Sequence, residues 1–194
     1  LDALDWALEL TLTLQKDFYD AAGGYYMTPS ENRSDLLLRM VEDSDNVEPA
    51  ASSVAVLNLL RLAQYTQRED LHKFSEQTLL HFGSALKSRP RSLPQMLVAL
   101  DFLLTKPKQI IIAGEKEDSG TREMLRLVHE RFMPVKMLMV MGQKEIKRIT
   151  LKLPMLAGMV PIEGKSTAYV CLQYACELPT NDIQVMSKLL DAKK

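Results

Sequence analysis

The chain has 194 residues, with 24 Lys and Arg against 25 Asp and Glu, 46% hydrophobic residues and 25% charged ones. That balance belongs to a folded protein of one large or two small domains, able to bury roughly 70% of its unfolded surface, and it excludes a disordered chain. Near-neutral charge excludes a general polyanion binder, so no nucleic-acid partner is expected. No apolar run reaches the roughly 20 residues of a membrane helix, and two cysteines are too few for a disulfide scaffold or a four-cysteine zinc site.

Leu1 already sits inside an amphipathic pattern with no targeting leader ahead of it, which reads as the tail of a longer protein and leaves the compartment open. Leu1, Leu4, Leu8 and Leu12 repeat at helical spacing, with Trp6, Leu10 and Leu14 beside them, while Asp2, Asp5, Glu9, Thr13 and Lys16 form one wet face. Two extended segments follow, Tyr25 to Thr28 and Leu36 to Val41, separated by turn residues Pro29 to Ser34, so a β-hairpin is predicted near 24–41.

The next helix, Pro49 to Tyr65, is apolar on nearly every side through Val54, Val56, Leu57, Leu59, Leu60 and Leu62. Such a helix is one buried on nearly every side. Leu71 to Lys87 carries a single stripe, Leu71, Phe74, Leu79, Phe82 and Leu86, and reads as an outer helix. The following helix opens on Ser92-Leu93-Pro94-Gln95, a capping-box spacing, and is apolar all round except at Asp101. The order outer, inner, outer, inner fits concentric helical layers. Two helices apolar around their whole girth demand neighbours that this chain does not itself encode.

The architecture changes near 105–108, giving predicted domains of 1–106 and 107–194. Gln109 to Ala113 is a β-branched run closed by Gly114, Thr121 to Phe132 has helical spacing, and Met137 to Met141 is a second apolar run closed by Gly142. Strand, helix, strand predicts a right-handed parallel βαβ unit. Thr167 to Cys171 adds a third strand and Asp182 to Leu190 a closing helix, with a short helix and loops over 143–165.

Each candidate chemistry stands beside a plainer alternative. Gly114 to Thr121 occupies the place of a phosphate loop but lacks its lysine and carries Glu115, Glu117 and Asp118, so it reads as a turn and helix start. Cys171 and Cys176 have C-x4-C spacing, which suits two buried free thiols better than a redox pair, although a strand end followed by a turn would let them meet. His72, His81 and His129 are isolated, and no metal site is predicted. The acidic stretch Glu42 to Glu48 leads into a buried helix: its carboxylates are either paired acid–base groups or helix-end charges in solvent. Tyr25 and Tyr26 beside Gly23-Gly24 are either sheet packing or a stacking surface, with one facing the core.

Taken together, these segments resemble a known family. Asp17-Phe18-Tyr19-Asp20 with Gly23-Gly24-Tyr25-Tyr26, Asp45 to Val54 followed by Asn58 to Leu62, Gln95-Met96 before Ala99-Leu100-Asp101, Phe132 to Lys136, Ala168 to Cys171 and Ala175 to Pro179 occur in the family's order. The chain resembles the family of the spermatogenesis-associated, thioredoxin-domain-containing protein and its bacterial relatives along nearly its whole length. Glycine-containing family positions are here Asp45-Asn46 and Ala50-Ala51-Ser52.

The resemblance implies an N-terminal thioredoxin-like domain followed by a six-hairpin, glycosidase-like α/α toroid. The fold class expected here is therefore α+β: a C-terminal portion of that toroid with its β-hairpin, then a small α/β tail with a short parallel sheet. It further implies a role in spermatogenesis and fertility in animals and a carbohydrate-like ligand in the full-length protein; no cofactor is expected. Asp45 and Glu48 are then the candidate catalytic carboxylates and Tyr25, Tyr26 and Asp43 the candidate ligand contacts. The expected partner is the absent N-terminal part, toroid and thioredoxin-like domain together, and this portion is not expected to act alone. Two alternatives differ in class: a scaffold that has lost its chemistry, and a redox protein in which Cys171 and Cys176 couple to the thioredoxin-like domain.

Overall fold

A computed structural model describes residues 2–30, 37–172 and 175–192. The chain forms two compact units, one of residues 2–104 and one of residues 105–194.

In the first unit, α1 (Asp2–Phe18) lays Leu4, Ala7, Leu8, Leu14 and Phe18 on a core of Tyr25, Ala55, Leu59, Leu62, Ala63 and Leu71. The predicted stripe is only partly used. Leu12 is exposed, as are Leu10 and Trp6, the last by 64%. Among the described residues of the predicted hairpin, pairing is limited to isolated antiparallel bridges, Tyr19 to Tyr25 and Tyr26 to Val41, and the expected turn Pro29 to Ser34 lies outside the described residues from 31 on. Gly23 makes the bend at φ 112°, a conformation that strains any residue with a Cβ.

Helix α2 (Ala51–Thr66) is buried around most of its circumference, as its apolar girth requires, leaving a stripe through Val54, Asn58 and Arg61 uncovered. It packs chiefly on α3 (Glu69–His81). The single long helix predicted to Lys87 is instead broken at Phe82, and α4 (Gly83–Ser88) continues after it. Glycine's low helix propensity and its missing side chain make Gly83 a natural place for the break. Helix α5 (Pro94–Thr105) differs more from expectation. It buries Met96, Ala99 and Phe102 on one side, while Val98 and Leu104 are exposed and Leu97, Leu100 and Leu103 are only half-buried. Its girth is apolar, but among the described residues Val98 and Leu104 remain uncovered on one side.

The second unit is built on a sheet of order β2-β1-β3-β4: β1 (Lys108–Ala113), β2 (Lys136–Met141), β3 (Thr167–Leu172) and β4 (Ala175–Cys176). β1 and β2 are parallel and joined through α6 (Ser119–His129), but β3 runs antiparallel to β1, so the sheet is mixed rather than parallel. The connection through α7 (Gln143–Ile149) starts at Met141 and ends at Thr167, both opposite Ala113, so the chain re-enters the sheet at the end where β2 left it and β3 runs in reverse. Central β1 is covered on both faces, which its three consecutive isoleucines reflect. Ile110 and Ile112 join Met124, Val128, Ala168, Val170, Met186 and Leu190 in a core under α6 and α8 (Ile183–Asp191). Phe132 falls past the end of α6 and is exposed, not part of the helix face predicted for it.

Two devices fix α8. Asp182 accepts from the Gln184 and Val185 amides at its start. At its end the Lys108 ammonium donates to the carbonyls of Leu189, Leu190 and Ala192, placing a cation at the negative pole of the helix. Gly114 at the end of β1 is required by packing: a Cβ there would run into the hydroxyls of Thr121 and Ser166, which bond each other at 2.9 Å. The loop after β1 closes on protein.

Candidate functional site

The acidic loop after Val41 is organised by Asp45. Its Oδ1 accepts from the Ala50 amide at 2.9 Å, where α2 starts, and its Oδ2 accepts from the Gln95 amide at 2.8 Å, in the first turn of α5. Its own amide donates to Ser92 O at 2.7 Å. One carboxylate thus serves two helices that start at Ala51 and Pro94, meeting one orphan amide and the positive dipole end of each. The capping box predicted at Ser92 does not form: the Ser92 hydroxyl donates to Arg89 O, and the amide it was expected to serve goes to Asp45. Pro49 likewise precedes the helix it was expected to open, because Ala50 is the cap.

The other carboxylates do not converge on Asp45. Asp43 is exposed and paired with Arg89 at 2.5 Å, which holds its carboxyl below the ordinary 3.8. A lowered carboxyl contributes stability above its unfolded value that is lost as pH falls through the folded one, so this pair weakens below about pH 3.8; being exposed, it contributes little. Glu48 is exposed.

Tyr25 is 1% exposed and lies in the helical core. Its amide donates to the Ser52 hydroxyl at 3.0 Å, its hydroxyl meets Gln15 Nε2, and its ring packs edge-on to Tyr19 with centroids 5.3 Å apart. Burial raises its phenol well above the ordinary value. Tyr25 therefore offers no face to a ligand. Removing its hydroxyl in Tyr25→Phe strands the Gln15 donor and is expected to cost about 1 kcal/mol, read as a midpoint shift in urea unfolding. Tyr26 is half-buried, and the Arg39 guanidinium sits 3.9 Å over its ring while donating to the carbonyls of Asp17 and Thr28. One face of Tyr26 is thus already occupied by a cation.

Among the described residues, cavities lie away from these side chains. One of about 530 Å3 runs between α1 and α2, beside Leu10, Leu14, Asn58, Arg61 and Tyr65. A second, of about 600 Å3, is an apolar groove between α3–α4 and α5, bounded by Leu79, Leu80, Leu86, Leu97, Leu100 and Leu103. A third, of about 540 Å3, lies in the sheet unit against Lys106, Lys108, Cys171, Cys176 and Glu177. None of the three includes Asp43, Asp45, Glu48 or either tyrosine at 25 and 26. In the third, Cys171 and Cys176 are joined by a disulfide, in place of the two free thiols favoured from spacing. The reason is register: the antiparallel pairing of β3 with β4 sets the two cysteines directly opposite each other. Among the described residues no three His, Cys, Asp or Glu side chains converge as metal ligands, and no helix is long and apolar enough to cross a membrane.

No family model matches the chain. It is similar to spermatogenesis-associated protein 20 of Homo sapiens, 35% identical over 188 residues, and to its Mus musculus counterpart, 34% identical over the same length. An uncharacterised protein of Caenorhabditis elegans is 26% identical over 186 residues. These matches cover 96%, 96% and 95% of this chain, but only 24%, 24% and 25% of the relatives. Across nearly its whole length, then, this chain is similar to spermatogenesis-associated protein 20, and it spans about a quarter of that protein's length.

Proposed function

We propose that this chain is a docking portion of the longer family protein, whose uncovered helix faces pack against the remaining three-quarters. The observation that carries the reading is the apolar side of α5 and its groove. Leu80 is 79% exposed and Leu104 70%, beside the half-buried Leu97, Leu100 and Leu103. A helix evolved for solvent on that side would carry polar residues there, and a contiguous apolar groove marks an interaction surface. α1 offers a second such face at Trp6 and Leu10. Neighbouring toroid helices are the partner this reading favours, and any part in spermatogenesis belongs to the whole protein.

A carbohydrate-like ligand in the full-length protein falls, on this reading, to Glu48 and the open side of Tyr26, since Asp45 and Asp43 are engaged and Tyr25 is buried. Asp45 acts as a helix clamp and not as an acid or base.

The test compares Leu80→Asp in this chain with the same change at the matching position of the full-length human relative. In this chain the change is expected to stay within about 0.5 kcal/mol, as at other exposed positions. In the full-length protein it should cost at least about 1 kcal/mol more, because an unpaired charge becomes buried. Equal costs in both contexts would count against the docking reading.

A further inference from the structure

The hairpin of β3 and β4 presents its disulfide asymmetrically. Cys171 is 1% exposed, held in β3 beside Gln109 of β1, whereas Cys176 is exposed on the short outer strand. Both border the cavity that Lys106 and Lys108 line together with Glu177. The Glu177 amide donates to Val170 O at 3.0 Å, which continues the pairing on the far side of the bond and holds the open sulfur in place. Disulfide exchange requires a thiolate to reach one sulfur along the bond axis while the other leaves. Among the described residues the Cys176 side is the open one, and Lys106 places a cation on the same cavity that favours an incoming thiolate, the Lys108 ammonium being held by the α8 carbonyls.

We propose that the Cys171–Cys176 disulfide is an exchange site for small anionic thiols, with Cys176 as the sulfur attacked and Cys171 as the buried leaving group. The attacking thiolate bonds to Cys176 Sγ, and the electron pair of the Cys171–Cys176 bond passes to Cys171 Sγ, which takes up a proton. A second thiolate then attacks the mixed disulfide at the small-molecule sulfur. Cys176 departs as a thiolate, and the two thiols leave joined as their own disulfide. Two thiols are oxidised for one protein disulfide reduced, so electrons balance without a metal or other co-reactant. The site is independent of the docking reading, which rests on the other unit.

The experiment incubates the native chain with excess reduced glutathione, quenches with acid, and maps mixed disulfides by peptide mass spectrometry. Glutathione is expected on Cys176 at least tenfold more than on Cys171. In a second measurement on chain reduced with dithiothreitol under native conditions, maleimide should label Cys176 at least tenfold faster than Cys171. Equal distribution between the two sulfurs, preference for Cys171, or no exchange until the protein is denatured would each overturn the proposal.

Discussion

Asp45→Ala is expected to lower the stability of the helical unit by about 2 to 3 kcal/mol, since one cap contributes roughly 1 kcal/mol and this residue supplies two. The change strips an acceptor from the Ala50 and Gln95 amides together, and Ala50 is fully buried, so water does not readily replace it there. For a unit of this size the loss corresponds to a fall of roughly 10 to 20 °C in Tm. Asp45→Asn keeps one oxygen acceptor and should lose about half as much. Urea unfolding of the three proteins separates this role from a catalytic one. A carboxylate held in place for chemistry leaves stability unchanged or higher when removed.

Ile112→Ala should cost about 2 to 5 kcal/mol, the range for truncating a fully buried aliphatic side chain. Ile112 lies on the central strand and is fully buried beside Ile110, Val170 and Met186, where neighbours on both faces of the sheet prevent collapse into the space. Ile112→Val, which removes one methyl, should cost about 0.5 to 1.5 kcal/mol. A loss below 1 kcal/mol for the alanine variant in chemical denaturation would show that the sheet core is looser than described.

The parts legible in the sequence were those governed by local pattern. Ile110 to Ile112 announced a strand buried on both faces, and the apolar girth of α2 announced a helix wrapped by neighbours. What local pattern cannot carry is direction and distance. Periodicity is the same in either strand direction, so β3 reads as readily parallel as antiparallel. The Cys171–Cys176 bond depends on which residues the strand register sets opposite each other, not on their spacing. Asp45 looked like a member of an acidic cluster because its partners at Gln95 and Ser92 lie far along the chain. Tyr25 and Tyr26 were read as a pair with one turned inward, but the Arg39 that covers Tyr26 gave no signal. The apolar girth of α5 was legible too, yet among the described residues Val98 and Leu104 stay exposed on it, and that mismatch is what carries the docking reading.

The most direct measurement is hydroxyl-radical footprinting of Trp6, Leu80, Leu97 and Leu104 in this chain, alongside the matching positions in the full-length human relative. The docking reading expects strong labelling of all four here and protection of the matching positions in the full-length protein by at least fivefold. Equal labelling in both proteins would contradict it, leaving these faces as ordinary surface.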